Sequence, residues 1–291
     1  MTHKKAIRVS GDGKQKKTFP NDWQIMEIKI FGSGNKELLR KVEGWLEESK
    51  KEPKWIATVN PEFVMAAEKD EEFKKMLTTE TSVNVPDGVG LGWARELENR
   101  FKKQEARFMN NFFKRLARAF LGVEVGVEVL RGKHREELIP GVELMEEMIT
   151  MAARKGWKVF LLGGWGDRAK LSARKFKNQK SNIKISWSPG EPAESNSVVI
   201  EKINKFRPEM LFVAYGMKKQ EEWIKRNRDN LKVGVAMGVG RSFDYFSGEL
   251  KRAPEWVRRM GLEWLYSLYK EPKRWRRQLA LVRFGWKAVW N

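Results

Sequence analysis

Few residues in this chain offer chemistry, and the most pointed is one carboxylate. The apolar run Val83-Asn84-Val85 delivers Asp87 into a turn bounded by Pro86 and Gly88, where a strand would end and a helix begin. Open α/β sheets present their chemistry there, because ligands sit beyond the carboxyl ends of parallel strands. A second such place is Asn60-Pro61-Glu62-Phe63. Asn at the cap and Pro in the first helical position start a helix whose free amide donors suit an anionic or hydroxyl-rich ligand. A third is Gly163-Gly164-Trp165-Gly166-Asp167, a glycine-rich turn able to bring backbone amides to a phosphate, though it is neither a P-loop nor a G-x-G-x-x-G. Each also has a plain structural reading: Pro86-Asp87-Gly88 as an ordinary turn, Asn60 as a cap and nothing more.

The elements that must hold these residues alternate between β and α. Met26, Ile28 and Ile30 alternate with polar residues as a first strand, and Asn35 can cap a helix carrying Leu38, Val42 and Leu46. Strands follow at Trp55–Val59, at Val83 to Asp87, Val159–Leu162, Ile183–Trp187, Met210–Ala214 and Val233–Met237. A helix over roughly 61 to 77 joins the strand at 55–59 to the one ending at Asp87. Gln220 falls in the first turn after Met210–Ala214, and Asp244 follows the last strand. This order predicts an α/β fold with a mainly parallel sheet, right-handed crossovers and helices on both faces. Between residues 93 and 121, Leu97, Phe101, Phe108, Phe112 and Leu116 lie on one broad helical face among many Lys and Arg, predicting one long basic amphipathic helix.

The chain is expected to divide into a basic flexible tail (1–20), a main α/β domain (21–248) and a C-terminal appendage (249–291). The appendage holds 11 Lys/Arg against 4 Glu, and five of the 13 Trp. Short helices can start there at Pro254 and near Pro272. Basic residues such as Arg252, Arg258 and Arg259 interleaved with Trp suit an anionic membrane surface, and a helical cap packed on the sheet is the alternative. A net charge of +20 and a pI near 10.0 also predict an anionic partner. With no cysteine and only His3 and His134, thiolate and histidine-rich metal sites are excluded. No run reaches the roughly 18 apolar residues of a spanning helix, and the N-terminus lacks a signal peptide's apolar core, so a cytoplasmic protein, peripheral on the inner face of the membrane, is expected.

Taken in order, Asn60-Pro61-Glu62-Phe63, Pro86-Asp87-Gly88-Val89-Gly90, Phe160-Leu161-Leu162-Gly163-Gly164, Gly216-Met217-Lys218-Lys219-Gln220-Glu221, Phe243-Asp244, Lys251-Arg252-Ala253-Pro254-Glu255-Trp256 and Gly261-Leu262-Glu263-Trp264 resemble the WecG/TagA/CpsF glycosyltransferases. The resemblance spans about residues 24 to 278. It implies a Rossmann-like, inverting transferase without metal or other cofactor, moving a sugar such as N-acetylmannosamine from a UDP-sugar donor to a membrane-anchored polyprenyl-diphosphate-linked acceptor. By the same resemblance Asp87 is the general base, Thr58 and Asn60 hold the donor sugar, Gln220 bonds sugar or phosphate, and Asp244 accepts from ribose or uracil. Arg252, Arg258 and Arg259 are then candidates for the acceptor diphosphate. A homo-oligomer stays open.

The chain departs from the family pattern at four residues, and its expected 93–121 helix is longer than that pattern. Leu138 stands where an Arg is usual, which passes the cation's role to Arg135 or Arg131, and Glu143 stands in place of an Asp. Glu191 replaces an aromatic, and Arg241 a small residue. Two other readings stand beside it: a non-catalytic or altered-specificity nucleotide-sugar-binding protein, or a nucleic-acid-binding protein drawn by charge. The second ranks last, since Asp87 and Gln220 serve no phosphate-backbone role.

Overall fold

A computed structural model of the protein describes residues 21–48, 52–104, 110–135 and 138–290. The tail expected at 1–20 lies outside them. The chain enters through an antiparallel hairpin, β1 (Trp23–Ile25) and β2 (Ile28–Ile30). Met26 and Glu27 turn it with φ of 44° and 68°. Positive φ at both turn residues matches the twist of a two-residue hairpin. Met26 is therefore not in a strand, which corrects the single strand expected from 26 to 30. Helix α1 (Gly34–Glu47) buries Leu38, Val42 and Leu46. It begins two residues earlier than expected: its first residue is Gly34, and its N-cap is Ser33 rather than Asn35.

Strand β3 (Lys54–Val59) leads into α2 (Pro61–Ala67), α3 (Glu71–Lys75) and a π-helical turn over Met76–Glu80. The single helix expected over 61 to 77 is thus broken, because Asp70 caps α3 by accepting from Phe73 N at 3.0 Å. Strand β4 (Val83–Pro86) follows. Next come α4 (Val89–Gln104) and α5 (Asn111–Leu130). These two replace the one long helix expected from 93 to 121; Phe108 lies outside the described residues. Asn110 starts α5 by accepting from Phe112 N at 2.8 Å, and α5 returns along α4. Trp93 Nε1 donates to Gly122 O at 2.8 Å, and Arg100 reaches Glu124 and Glu128 at 2.9 and 2.6 Å.

The remaining units are α6 (Gly141–Lys155), β5 (Lys158–Gly163), α7 (Arg168–Gln179), β6 (Lys184–Ser188), α8 (Asn196–Phe206), β7 (Met210–Ala214), α9 (Lys219–Asn227), β8 (Val235–Gly238) and α10 (Ser242–Phe246). Six strands form one parallel sheet in the order β4-β3-β8-β7-β5-β6. Its strands alternate between two buried clusters. Val159 and Leu161 face one with Met210 and Phe212; Phe160 and Leu162 face the other with Leu211 and Val213. Helices therefore cover both faces, and each fully buried Leu or Phe contributes on the order of 1.5–3 kcal/mol.

Beyond α10 the chain forms α11 (Glu255–Arg259), α12 (Glu263–Lys270) and α13 (Trp275–Trp290). α12 was not foreseen. α13 buries Phe284 and Ala288 in the cluster that also holds Phe63 and Val64 of α2. No helix among the described residues is long and apolar enough to cross a membrane.

Candidate functional site

Asp87 is placed by backbone bonds before its side chain is considered. β4 pairs with β3 so that Val59 faces Pro86, and Asp87 N donates to Val59 O at 2.7 Å, one step past the strand. Asn84 fastens the other side of β4: it is buried, and its Nδ2 donates to Lys29 O and Leu77 O at 2.9 and 2.7 Å. Pro86 O accepts from Ile139 N at 2.8 Å, which ties the segment entering α6 to this turn. Gly88 has φ of +86°, a conformation that glycine adopts without strain. At Gly90 a Cβ would lie 2.7 Å from Pro61 Cγ, so only glycine allows α4 to start this close to α2.

Two adjoining cavities open at the carboxyl ends of β3, β4, β7 and β8, and Asp87 lines both. The smaller, about 280 Å³, brings Asp87 together with Thr58, Asn60, Gln220, Gly240 and Arg241. The larger, about 470 Å³, adds a cationic and apolar wall that includes Arg135, Arg252, Arg258, Arg259, Trp264 and Leu281. The structure thus brings Asp87, Thr58, Asn60, Gln220 and the three appendage arginines to the two cavities. Gly163 and Gly164 line neither cavity, and Gly164 N already donates to Ala214 O at 3.0 Å.

Asp87 is half-buried, and its surroundings make it an unusually strong base for an aspartate. Burial, followed by the charge of Glu263, pushes its carboxyl from 3.8 up to about 7. The Gly141 N–H bond and Arg252 oppose this, and Glu143 adds to it. Gly141 sits at the start of α6, where a Cβ would lie 3.1 Å from the Thr58 methyl. Its lack of a side chain lets the helix N-terminus meet the carboxylate. Thr58 itself is buried and donates to Gly238 O at 3.3 Å, which ties β3 to β8 at the cavity floor.

Asn60 caps α2, accepting from Phe63 N at 3.1 Å, while still lining both cavities. Gln220 is buried; its Oε1 accepts from Gly240 N at 2.9 Å and its Nε2 donates to Glu221 at 2.8 Å. Glu221 is itself buried, and desolvation pushes its carboxyl up to about 7. Asp244 lies outside both linings, with one oxygen bonded to Arg168 and the other to Arg241, each at 2.7 Å. Arg241, where a small residue was expected, also pairs with Glu271 and so joins this loop to the end of α12. Glu191 is a surface residue paired with Arg226 at 3.3 Å, away from both cavities.

The appendage arginines are held by acidic partners. Arg252 bonds Glu143 at 3.2 Å and Glu263 at 3.3 Å, Arg258 shares Glu143 at 3.2 Å, and Arg259 pairs with Glu255. Burial lowers the pKa of Arg252, and Glu263 and Glu143 together outweigh it, so the net direction is upward. Arg135 differs: it lines the larger cavity beside Leu138, and its Nε is buried without a hydrogen-bond partner among the described residues. Arg131 is exposed and is not part of that wall. Of the two cations considered for the place of Leu138, Arg135 alone reaches the cavity. Sequence reasoning noted Glu143 only as a departure from a family Asp, and assigned neither Gly141 nor Glu263 to the site. Glu263 did stand inside a recognised motif, Gly261-Leu262-Glu263-Trp264.

Comparison with known proteins gives one consistent result. The model of the glycosyl transferase WecG/TagA/CpsF family matches residues 23–123 and 121–291. A Bacillus subtilis (strain 168) protein named N-acetylglucosaminyldiphosphoundecaprenol N-acetyl-beta-D-mannosaminyltransferase is 31% identical over 230 residues, covering 79% of this chain and 77% of the relative. A Staphylococcus aureus (strain MW2) protein of the same name is 32% identical over 169 residues, covering 56% of this chain and 66% of the relative.

Proposed function

Since the chain belongs to the WecG/TagA/CpsF family and is a glycosyltransferase, we propose that it moves N-acetylmannosamine, or a close analogue, from a UDP-sugar to N-acetylglucosamine carried on a polyprenyl diphosphate. The observation that carries this reading is Asp87 on the common wall of two cavities, one lined by polar sugar-binding types and the other by guanidinium groups and apolar side chains. The smaller cavity suits the donor, with Thr58, Asn60 and Gln220 around the sugar. The larger suits the acceptor, with Arg135, Arg252 and Arg258 facing its diphosphate and Trp264 and Leu281 facing the first lipid units.

In this reading Asp87 takes the proton from the acceptor hydroxyl as that oxygen attacks the anomeric carbon. The new C–O bond forms on the face opposite the one whose bond to the UDP phosphate breaks, so the anomeric centre inverts. The departing UDP carries the released electron pair, and nearby arginines and helix N-termini stabilise its charge without a metal. A base with a pKa near 7 accepts a proton far better than an ordinary aspartate while remaining largely ionised above neutrality. Asp244 lies one ion pair away from the smaller cavity, bonded to Arg241 on its wall, and so would orient Arg241 toward the nucleotide. The protein would work peripherally on the inner face of the membrane, where a lipid-linked acceptor is presented.

The test is transfer from UDP-N-acetylmannosamine to a short-chain, water-soluble lipid-diphosphate N-acetylglucosamine, following UDP release and the disaccharide product. Asp87→Asn should lower kcat by roughly a hundredfold or more while UDP-sugar binding persists. Full activity in Asp87→Asn would remove the base from this scheme. Donor binding by the wild type with no transfer would favour a nucleotide-sugar-binding protein instead.

A further inference from the structure

Helix α5 carries apolar residues on two opposite faces, and among the described residues only one of them is buried. Leu121, Val125 and Val129 are buried against the α4 side. The other face carries Phe112, Leu116, Phe120, Val123, Val127 and Leu130 at successive spacings of four, four, three, four and three. That spacing lines them along a single stripe of the helix. All six are exposed, with Phe112 at 67%, Phe120 at 70% and Val123 at 69%. Apolar residues scattered singly on a surface need no explanation, but a row this long does.

The neighbouring helix repeats the pattern. On α13, Trp275, Leu279, Val282, Trp286 and Trp290 follow at spacings of four, three, four and four, and they too are exposed. The two helices meet where Gly122 leaves room, since a Cβ there would lie 3.6 Å from Val289 and 3.2 Å from Trp93. α13 also supplies Gln278 and Leu281 to the larger cavity. One helix therefore links the rim of that cavity to the exposed α5 stripe.

We propose that the apolar stripe of α5 docks on an anionic phospholipid bilayer, as a second membrane contact beside the C-terminal appendage. Charge selects this occupant. Arg115 near one end of α5 and Arg131 just past the other are exposed, as are Arg276 and Arg283 on α13, and basic residues close to an anionic leaflet each add to attraction. At 20 residues, α5 is about 30 Å long, enough to lie along an interface with Phe and Val sunk among the acyl chains. A second copy of the chain fits less well. Basic ends would face basic ends in either orientation, and Glu124 at the flank is already paired with Arg100 at 2.9 Å. The inference rests on the lipid-linked acceptor proposed above, since a bilayer against α5 and α13 would present that acceptor at the cavity rim.

The test uses the full chain and the triple variant Phe112→Ser, Phe120→Ser, Val123→Ser, whose sites are exposed and outside the two cavities. Co-sedimentation is measured with phosphatidylglycerol and with phosphatidylcholine vesicles. The wild type should bind the anionic vesicles, and the variant should bind them at least roughly tenfold more weakly. Transfer to the water-soluble acceptor should be unchanged in the variant, while transfer to a full-length acceptor embedded in the vesicles falls. Equal vesicle binding by the two proteins overturns the proposal. So does a wild-type dimer, seen by sedimentation, that the triple variant splits without change in vesicle binding. If neither protein turns over the soluble acceptor, the transferase reading fails, and vesicle binding still decides the role of α5.

Discussion

Replacing Glu263 with Gln should move the acid limb of the pH–rate profile toward lower pH. Burial is the largest reason that Asp87 is pushed up to about 7, and the charge of Glu263 is the second. The substitution leaves burial in place and removes one negative charge. It also takes from Arg252 its partner at 3.3 Å, so more of that guanidinium's charge acts on Asp87 in the same downward direction. A nearby charge in a partly solvated cleft is worth on the order of one pKa unit. At pH 6 a base with a pKa near 7 is about one-tenth ionised, and one with a pKa near 6 about one-half. Normalised to its own rate at pH 8, the variant should therefore run roughly fivefold faster than wild type at pH 6. The assay is kcat/KM for transfer to the soluble acceptor from pH 5 to 9. The midpoint is the quantity read, because disturbing Arg252 also lowers the plateau. Glu143→Gln, which removes a weaker contributor, should shift the midpoint in the same direction by less. An unchanged midpoint in Glu263→Gln, or one moved upward, refutes the electrostatic account of Asp87.

Asp87→Asn should also be more stable than wild type at high pH. The native carboxyl is raised above its ordinary 3.8 to about 7, so the folded state binds more protons than the unfolded one across that window, and wild-type stability falls as pH rises through it. Three units correspond to at most about 4 kcal/mol, reduced by water in the open cavity; thermal melts should show a gain of several degrees at pH 8 that vanishes near pH 4, and a gain independent of pH would refute it. Arg135→Ala should lower kcat by roughly tenfold or more, with partial recovery in Arg135→Lys, while Arg131→Ala has no effect; equal kinetics for the Arg135 and Arg131 variants would end the assignment of Arg135 to the place of Leu138. Asn84→Ala should cost about 2–4 kcal/mol in urea unfolding, because it removes the buried amide that fastens β4 to Lys29 O and Leu77 O; an unchanged midpoint would show that β4 is held by its ladder alone.

The parallel strands were legible because both of their faces are buried, which leaves continuous apolar runs such as Met210–Ala214 that no solvent-exposed strand would carry. Asn60, Asp87 and Gln220 were legible for a related reason: each follows a readable strand at the end where an α/β sheet presents ligands. The misreadings lie where periodicity is ambiguous. Asn35 was a reasonable cap by type, but α1 begins before it, with Ser33 in the N-cap position. Asp70 and Asn110 are capping types inside periodic stretches, and in both cases the cap ended one helix and began another. The electrostatics of Asp87 could not be read from its own motif, because Glu143 and Glu263 reach it from α6 and α12 through packing alone.

The 93–121 segment shows why a hydrophobic pattern and a buried face are different things. Leu97, Phe101, Phe112 and Leu116 satisfy one periodicity in sequence. In the fold the first two are buried between α4 and α5, while the last two stand exposed on the outer stripe of α5. Period fixes which residues share a side of a helix, and only the covering element fixes whether that side is core. Once the chain folds back after α4, the inner face of α5 is already satisfied by Leu97 and Phe101 of α4 and by Trp93, and among the described residues the outer apolar row stays exposed. An inner face that suffices for folding leaves the outer one free of that constraint, which is the ground for the docking proposed above. The basic ends of α5 and the Trp-bearing row of α13 beside it indicate the chemistry of that contact.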